Sequence, residues 1–157
     1  VGALAWHVPD LVGGGDPITQ ATLLGAPDLA VLPALFLLRL ALGAASYAAG
    51  TPGGLFAPML VLGAQLGLFF GLASAAAFPE LGIDPGSFAV VSMAAFFAGV
   101  VRAPVTGIVL VTEMTGSVSL LLPMLGASFG AMLVPMLLNI TPIYEALRRR
   151  AELPAGR

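Results

Sequence analysis

The sequence predicts an all-α membrane protein whose helices are broken, tilted and of unequal length. Three observations predict it. Of 157 residues, 59% are hydrophobic and 9% are charged, and mean hydropathy is +1.03; a water-soluble domain carries about 25% charged residues. Several apolar runs reach or approach the roughly 20 helical residues that a hydrocarbon core of about 30 Å requires. Finally, 20 glycines and 13 prolines interrupt those runs, which suits helices in lipid better than helices in water.

Three runs are long enough to span. Residues 29–49 carry Arg39 near their middle, whereas 55–78 and 118–138 are uncharged. Residues 86–101 would span only with difficulty, and a helix over 105–114 would cover roughly 15 Å. Residues 17–25 and 142–152 are shorter or more polar again. Backbone left unpaired at membrane depth survives only beside protein or a watery cavity. Short, interrupted segments therefore point to a transporter's midplane site rather than to a plain bundle. Arg148, Arg149 and Arg150 follow the last apolar stretch, so the C-terminus is expected in the cytoplasm. Glu80 and Asp84 mark 79–86 as an outside loop, a weaker signal.

Composition also excludes partners and chemistry. Six basic residues, all Arg, against eight acidic ones give a net charge of −2, with no basic stripe for nucleic acid. Without Cys there is no disulfide framework, thiolate metal site or cysteine nucleophile. His7, the single histidine, leaves little for a metal or for proton transfer, so no cofactor and no enzymatic activity are expected. The stretch from Val1 shows no charged region leading into a short apolar core, so no signal peptide is expected in it. VGALAWHVP reads as the tail of a helix under way, so the chain is expected to be a piece of a longer protein.

Residues 50–58 read Gly-Thr-Pro-Gly-Gly-Leu-Phe-Ala-Pro before an apolar helical run. Gly53 and Gly54 supply backbone without side chains, and Pro58 is tolerated in a first helical turn. The helix should begin near Leu55, with the N–H groups of Leu55 and Phe56 pointing out of its end. Such an end carries about half a positive charge. At 5 Å and an effective dielectric of about 20, that half charge attracts a monovalent anion by roughly 1.7 kcal/mol. Each N–H bond to the ion adds about 1.5–3 kcal/mol. A partly dehydrated halide is thereby held without a full positive charge, which would trap it. The alternative is a plain loop-to-helix junction at the membrane surface.

The string GTPGGLFAPMLVLGAQLG resembles the G-x-F-x-P element of the CLC family of chloride channels and chloride/proton antiporters. Three further stretches agree in order: AFFAGVVRAPVTGIVLVTEMT (95–115), SLLLPMLGASFGAML (119–133) and TPIYEAL (141–147). The similarity covers nearly the whole chain from about residue 10. It implies that 1–157 is a partial CLC transmembrane domain, part of the second inverted repeat of that fold, with no CBS domains. It also implies chloride as substrate, with Leu55 and Phe56 as backbone donors and Tyr144 as a hydroxyl donor to the anion. From the sequence alone Tyr144 reads equally as an aromatic-belt residue. The implied assembly is a homodimer through 105–115 and 118–138, where Gly126 and Gly130 permit close approach.

The family's serine-bearing Gly-Ser-Gly-Ile-Pro and glutamate-bearing Gly-Arg-Glu-Gly-Pro elements are absent. Channel and antiporter are therefore not distinguished, and the fragment alone is not expected to conduct. Arg39 reads as an internal pairing residue or a source of potential for the anion. Arg102 reads as a cap on the helix ending at 101, and Glu113 as a buried or interface acid in preference to a proton relay. Gly63, Gly67 and Gly71 form a stripe for internal helix packing. Gly126-Ala127-Ser128-Phe129-Gly130 matches the hydrolase elbow, but it lies in an apolar run with His7 as the single candidate base. A non-transporting remnant or partner subunit is the other alternative.

Overall fold

The computed structural model describes residues 29–48 and 54–152. Within them lie six α-helices: α1 (Leu32–Ala48), α2 (Phe56–Ala77), α3 (Pro85–Val101), α4 (Pro104–Thr115), α5 (Leu121–Leu137) and α6 (Ile143–Glu152). Short 3₁₀ turns at Pro79–Leu81 and Val118–Leu120 lead out of α2 and into α5. There is no strand among the described residues. The expected segment 17–25 lies outside them.

The lengths are unequal, as expected. The 22 residues of α2 and the 20 of Val118–Leu137 give about 33 and 30 Å, enough for a bilayer core. At 12 residues, α4 covers about 18 Å. The run expected at 29–49 is shorter in the structure: α1 has 17 residues, or about 25 Å. Its start is fixed by Pro33, which fits a first helical turn but resists helix on its N-terminal side; Leu29, Ala30 and Val31 form a turn instead.

Helix α3 is the central element, packing on α2, α4, α5 and α6; α2 has more than half of its apolar window buried, against 11% for the span ending α5. Helix α2 packs antiparallel on α3 through its glycine stripe. A Cβ on Gly63 would lie 2.8 Å from Met93 Cα, one on Gly67 2.3 Å from Phe88 O, and one on Gly71 2.8 Å from Pro85 Cα. The stripe thus serves internal packing. In an apolar solvent such backbone approach, rather than transfer from water, holds helices together. Helix α5 runs parallel to α3 on another side. Pro135 has no N–H for Ala131 O, and Gly99 of α3 lies against that freed carbonyl, its virtual Cβ at 3.3 Å.

Helix ends follow local chemistry. Asp84 caps α3, accepting from Gly86 N–H (3.2 Å), Ser87 N–H (3.0 Å) and Ser87 Oγ (2.7 Å). Helix α4 stops at Gly116, whose φ of 68° needs no side-chain clearance. Helix α5 closes through Asn139 (φ 52°), with Ile140 N–H on Pro135 O at 2.9 Å and Asn139 N–H on Met136 O at 3.1 Å. That paired pattern is a Schellman motif.

Candidate functional site

The start of α2 has the open geometry that Gly-Gly-Leu-Phe-Ala-Pro implies. Leu55 precedes the helix at φ −76°, ψ −16°, and no side chain caps that end. The first helical bond runs from Met59 N–H to Leu55 O at 3.1 Å. Phe56 and Ala57 N–H therefore stand ahead of the ladder, and Pro58 has no N–H to offer. Leu55 and Phe56 are half-buried and pack on the core. The Phe56 ring meets Phe97 of α3 edge to face, centroids 5.5 Å apart at 75°. Gly54 is exposed, with nothing within 4 Å of a virtual Cβ; Gly53 lies outside the described residues.

Because α2 and α3 are antiparallel, this open end lies level with the end of α3. There the chain reverses: Arg102 takes a left-handed conformation (φ 63°), its N–H bonding Ala98 O at 2.9 Å, and α4 starts two residues later. The starts of α2 and α4 thus share one end of the bundle. Arg102 brings a third start to it. Its guanidinium donates to Pro135 O at 3.2 Å and to Ile140 O, three residues before α6 begins. Arg102 is the C-cap of its own helix, as the sequence predicts, but through its backbone N–H rather than its charge. The structure places the cation on the end of α5 instead, because the backbone of Arg102 has already turned away from α3.

Tyr144 is the second residue of α6 and is 49% exposed. It stands at the same end as Leu55 and Phe56, although α6 packs on α3 rather than on α2. Beside it a concavity of 420 Å³ is lined by Arg102, Asn139, Thr141, Pro142, Glu145 and Arg149. Glu145 and Arg149 pair across one helical turn at 2.6 Å; being exposed, that pair contributes little stability. A second groove of 450 Å³ between α2, α3 and α5 is apolar apart from Ser87 and Ser92.

Three helix starts at one end, with the Tyr144 hydroxyl on the third, make an environment of partial positive charge, offset in part by Glu145 in the first turn of α6, which pairs with Arg149. Such an environment suits a small anion and is unfavourable to a cation. No cluster of three metal-ligating side chains occurs among the described residues. Arg39 is buried at 8% exposure on α1, and Glu113 is exposed near the end of α4. Ser128 is fully buried inside α5, so it lacks the exposed strand-to-helix turn that a nucleophilic elbow requires. His7 lies outside the described residues. Sequence reasoning missed the carbonyl partners of Arg102, which no local pattern signals. It also missed the cap at Asp84, which Asp-Pro-Gly-Ser before an apolar run does signal.

Comparison with known proteins agrees with this geometry. Residues 1–135 match the model of the family described as voltage gated chloride channel. The chain is 44% identical over 149 residues to the H(+)/Cl(−) exchange transporter ClcA of Vibrio cholerae, and 42% identical to that of Yersinia pestis. These matches cover 95% of the chain and 32% and 31% of the relatives. The chain thus spans about a third of the length of the curated relatives it matches. The structure superposes on the crystal structure of a slow cyanobacterial Cl−/H+ antiporter with a TM-score of 0.86 and 31% identity, over 94% of the chain and 35% of the antiporter.

Proposed function

Because the chain belongs to the voltage-gated chloride channel family, we propose that it supplies part of the anion pathway of a chloride transporter, with chloride itself as substrate and no cofactor. The observation that carries this reading is the uncapped start of α2. There the amides of Leu55 and Phe56 face no helical acceptor, at the bundle end to which Arg102 ties the approach to α6 and Tyr144. Gly54 lets the chain enter this end without a side chain in the ion's way. The names of the relatives and of the superposed antiporter support exchange of chloride against protons.

Two finer points belong to the same proposal. The exposed side of α5 carries Leu122, Gly126, Phe129, Gly130 and Leu133 in helical register, and α4 exposes Val105 and Val109. These faces support a homodimer through 105–115 and 118–138. The arginines at 148–150 support a cytoplasmic C-terminus.

The test is halide efflux from liposomes. Alone, the chain is expected to be silent; co-reconstituted with a segment supplying the rest of the transporter fold, it is expected to move chloride. In that assembly Tyr144→Phe removes one O–H bond to a charged ion, about 1.5–3 kcal/mol, or roughly a ten- to hundredfold loss of halide affinity. Unchanged halide affinity in Tyr144→Phe overturns the site assignment. Silence of the assembled protein favours a non-transporting remnant.

A further inference from the structure

We propose that Arg102 is a positioning residue for the anion site: by holding two carbonyls at the end of α5 it fixes the start of α6, and with it the Tyr144 hydroxyl. The inference rests on the reading of Tyr144 as an anion ligand. It begins from a residue in an unfavourable backbone conformation. Among the described residues, the left-handed positions are Gly82, Gly116, Asn139 and Arg102. Glycine and asparagine visit that region readily, but a long side chain carries a steric cost there. Glycine would serve the chain reversal equally well, so the side chain is what the position retains.

The contacts of that side chain give the reason. The guanidinium reaches Pro135 O and Ile140 O together. Pro135 O also receives Ile140 N–H at 2.9 Å, so Arg102 clasps a closed backbone loop rather than a loose strand. Both bonds leave one nitrogen, Nη2, whose two N–H groups are fixed in the guanidinium plane and so aim at two acceptors at once; a freely rotating ammonium does not hold both in a set geometry. Three residues separate Ile140 from Tyr144, and Pro142 between them has a fixed φ. The position of the carbonyl is therefore passed on to the phenol. Packing does only part of this work: Pro142, Ile143 and Leu147 are half-buried, but Ile140, Thr141, Tyr144 and Glu145 are exposed, and a 420 Å³ concavity adjoins Ile140, Thr141 and Glu145.

The experiment uses the assembled transporter in liposomes and compares Arg102→Gln, Arg102→Lys and Arg102→Gly, each alone and with Tyr144→Phe. Arg102→Gln and Arg102→Gly are expected to raise the half-saturating halide concentration about tenfold, the scale of one hydrogen bond to an ion. Maximal flux changes less, and Arg102→Lys falls between. Arg102→Gly relaxes the backbone while removing the tether, so it carries the test if Arg102→Gln does not fold. On the Tyr144→Phe background none of the three adds a further loss of affinity. Additive losses there, or normal half-saturation in Arg102→Gln and Arg102→Gly, overturn the inference alone. Normal affinity in Tyr144→Phe itself overturns the anion-ligand reading and this inference with it.

Discussion

Asp84 and Arg102 stand at opposite ends of α3, and each works through hydrogen bonds to groups a helix or loop leaves open. The Asp84 carboxyl is held below the usual aspartate range, first by the Ser87 hydroxyl, with burial opposing it and the Ser87 and Gly86 amides adding to the lowering. A carboxylate favoured by folding stabilises the native state above the unfolded pKa, and that stability disappears as pH falls through the lower folded value. Asp84→Ala is expected to cost about 1 kcal/mol, as for other lost N-caps, and to flatten the acid limb of stability against pH. Unfolding of the chain in detergent, followed by helical circular dichroism across acid pH, measures both; an unchanged acid limb contradicts the account. The cap was legible in Asp-Pro-Gly-Ser, although the sequence reading used Asp84 only as a loop marker. Arg102 was legible as a structural cation but not in its partners, since Pro135 and Ile140 are 33 and 38 residues away. Local chemistry shows in local sequence; a contact between distant segments does not.

At the scale of elements, glycine placement separates two kinds of helix surface. The stripe at Gly63, Gly67 and Gly71 meets backbone, whereas Gly126 and Gly130 have nothing within 4 Å of a virtual Cβ. Gly67→Ala puts a methyl group against Phe88 O and is expected to destabilise by about 2 kcal/mol or more. Gly43→Ala in α1, away from the proposed dimer face, meets nothing within 4 Å and gains helix propensity, so it is expected to be neutral or slightly stabilising. Thermal melts of the two variants in one detergent check this pair; equal losses contradict it. The four-residue spacing made the stripe legible and pointed to internal packing, but it did not name α3 as the partner. Start points were legible wherever Pro sits in a first turn, as at Pro58, Pro85 and Pro104. The shortness of α1 was the exception, because the apolar run continues upstream of Pro33 and hydropathy does not register a helix start.

For the whole molecule, the mixture of long and short helices and the open start of α2 were legible in the sequence. The meeting of helix starts at one end was not, since it depends on α2 and α3 running antiparallel and on one long-range arginine. The outer faces of α4 and α5 make an assembly prediction. In a two-fold dimer, a residue near the axis meets its own copy. The chain has no cysteine, so Gly130→Cys is expected to yield a disulfide-linked dimer on mild oxidation in membranes. Leu81→Cys, in the exposed turn after α2, is not. Cross-linking only at position 81 places the interface elsewhere. The backbone contact along Gly63, Gly67 and Gly71 bears on motion as well. It leaves α2 and α3 no slack to slide, so the amides at residues 55 and 56 form a fixed jaw. The thinly packed α6, pinned at Ile140 by one guanidinium, is the looser jaw.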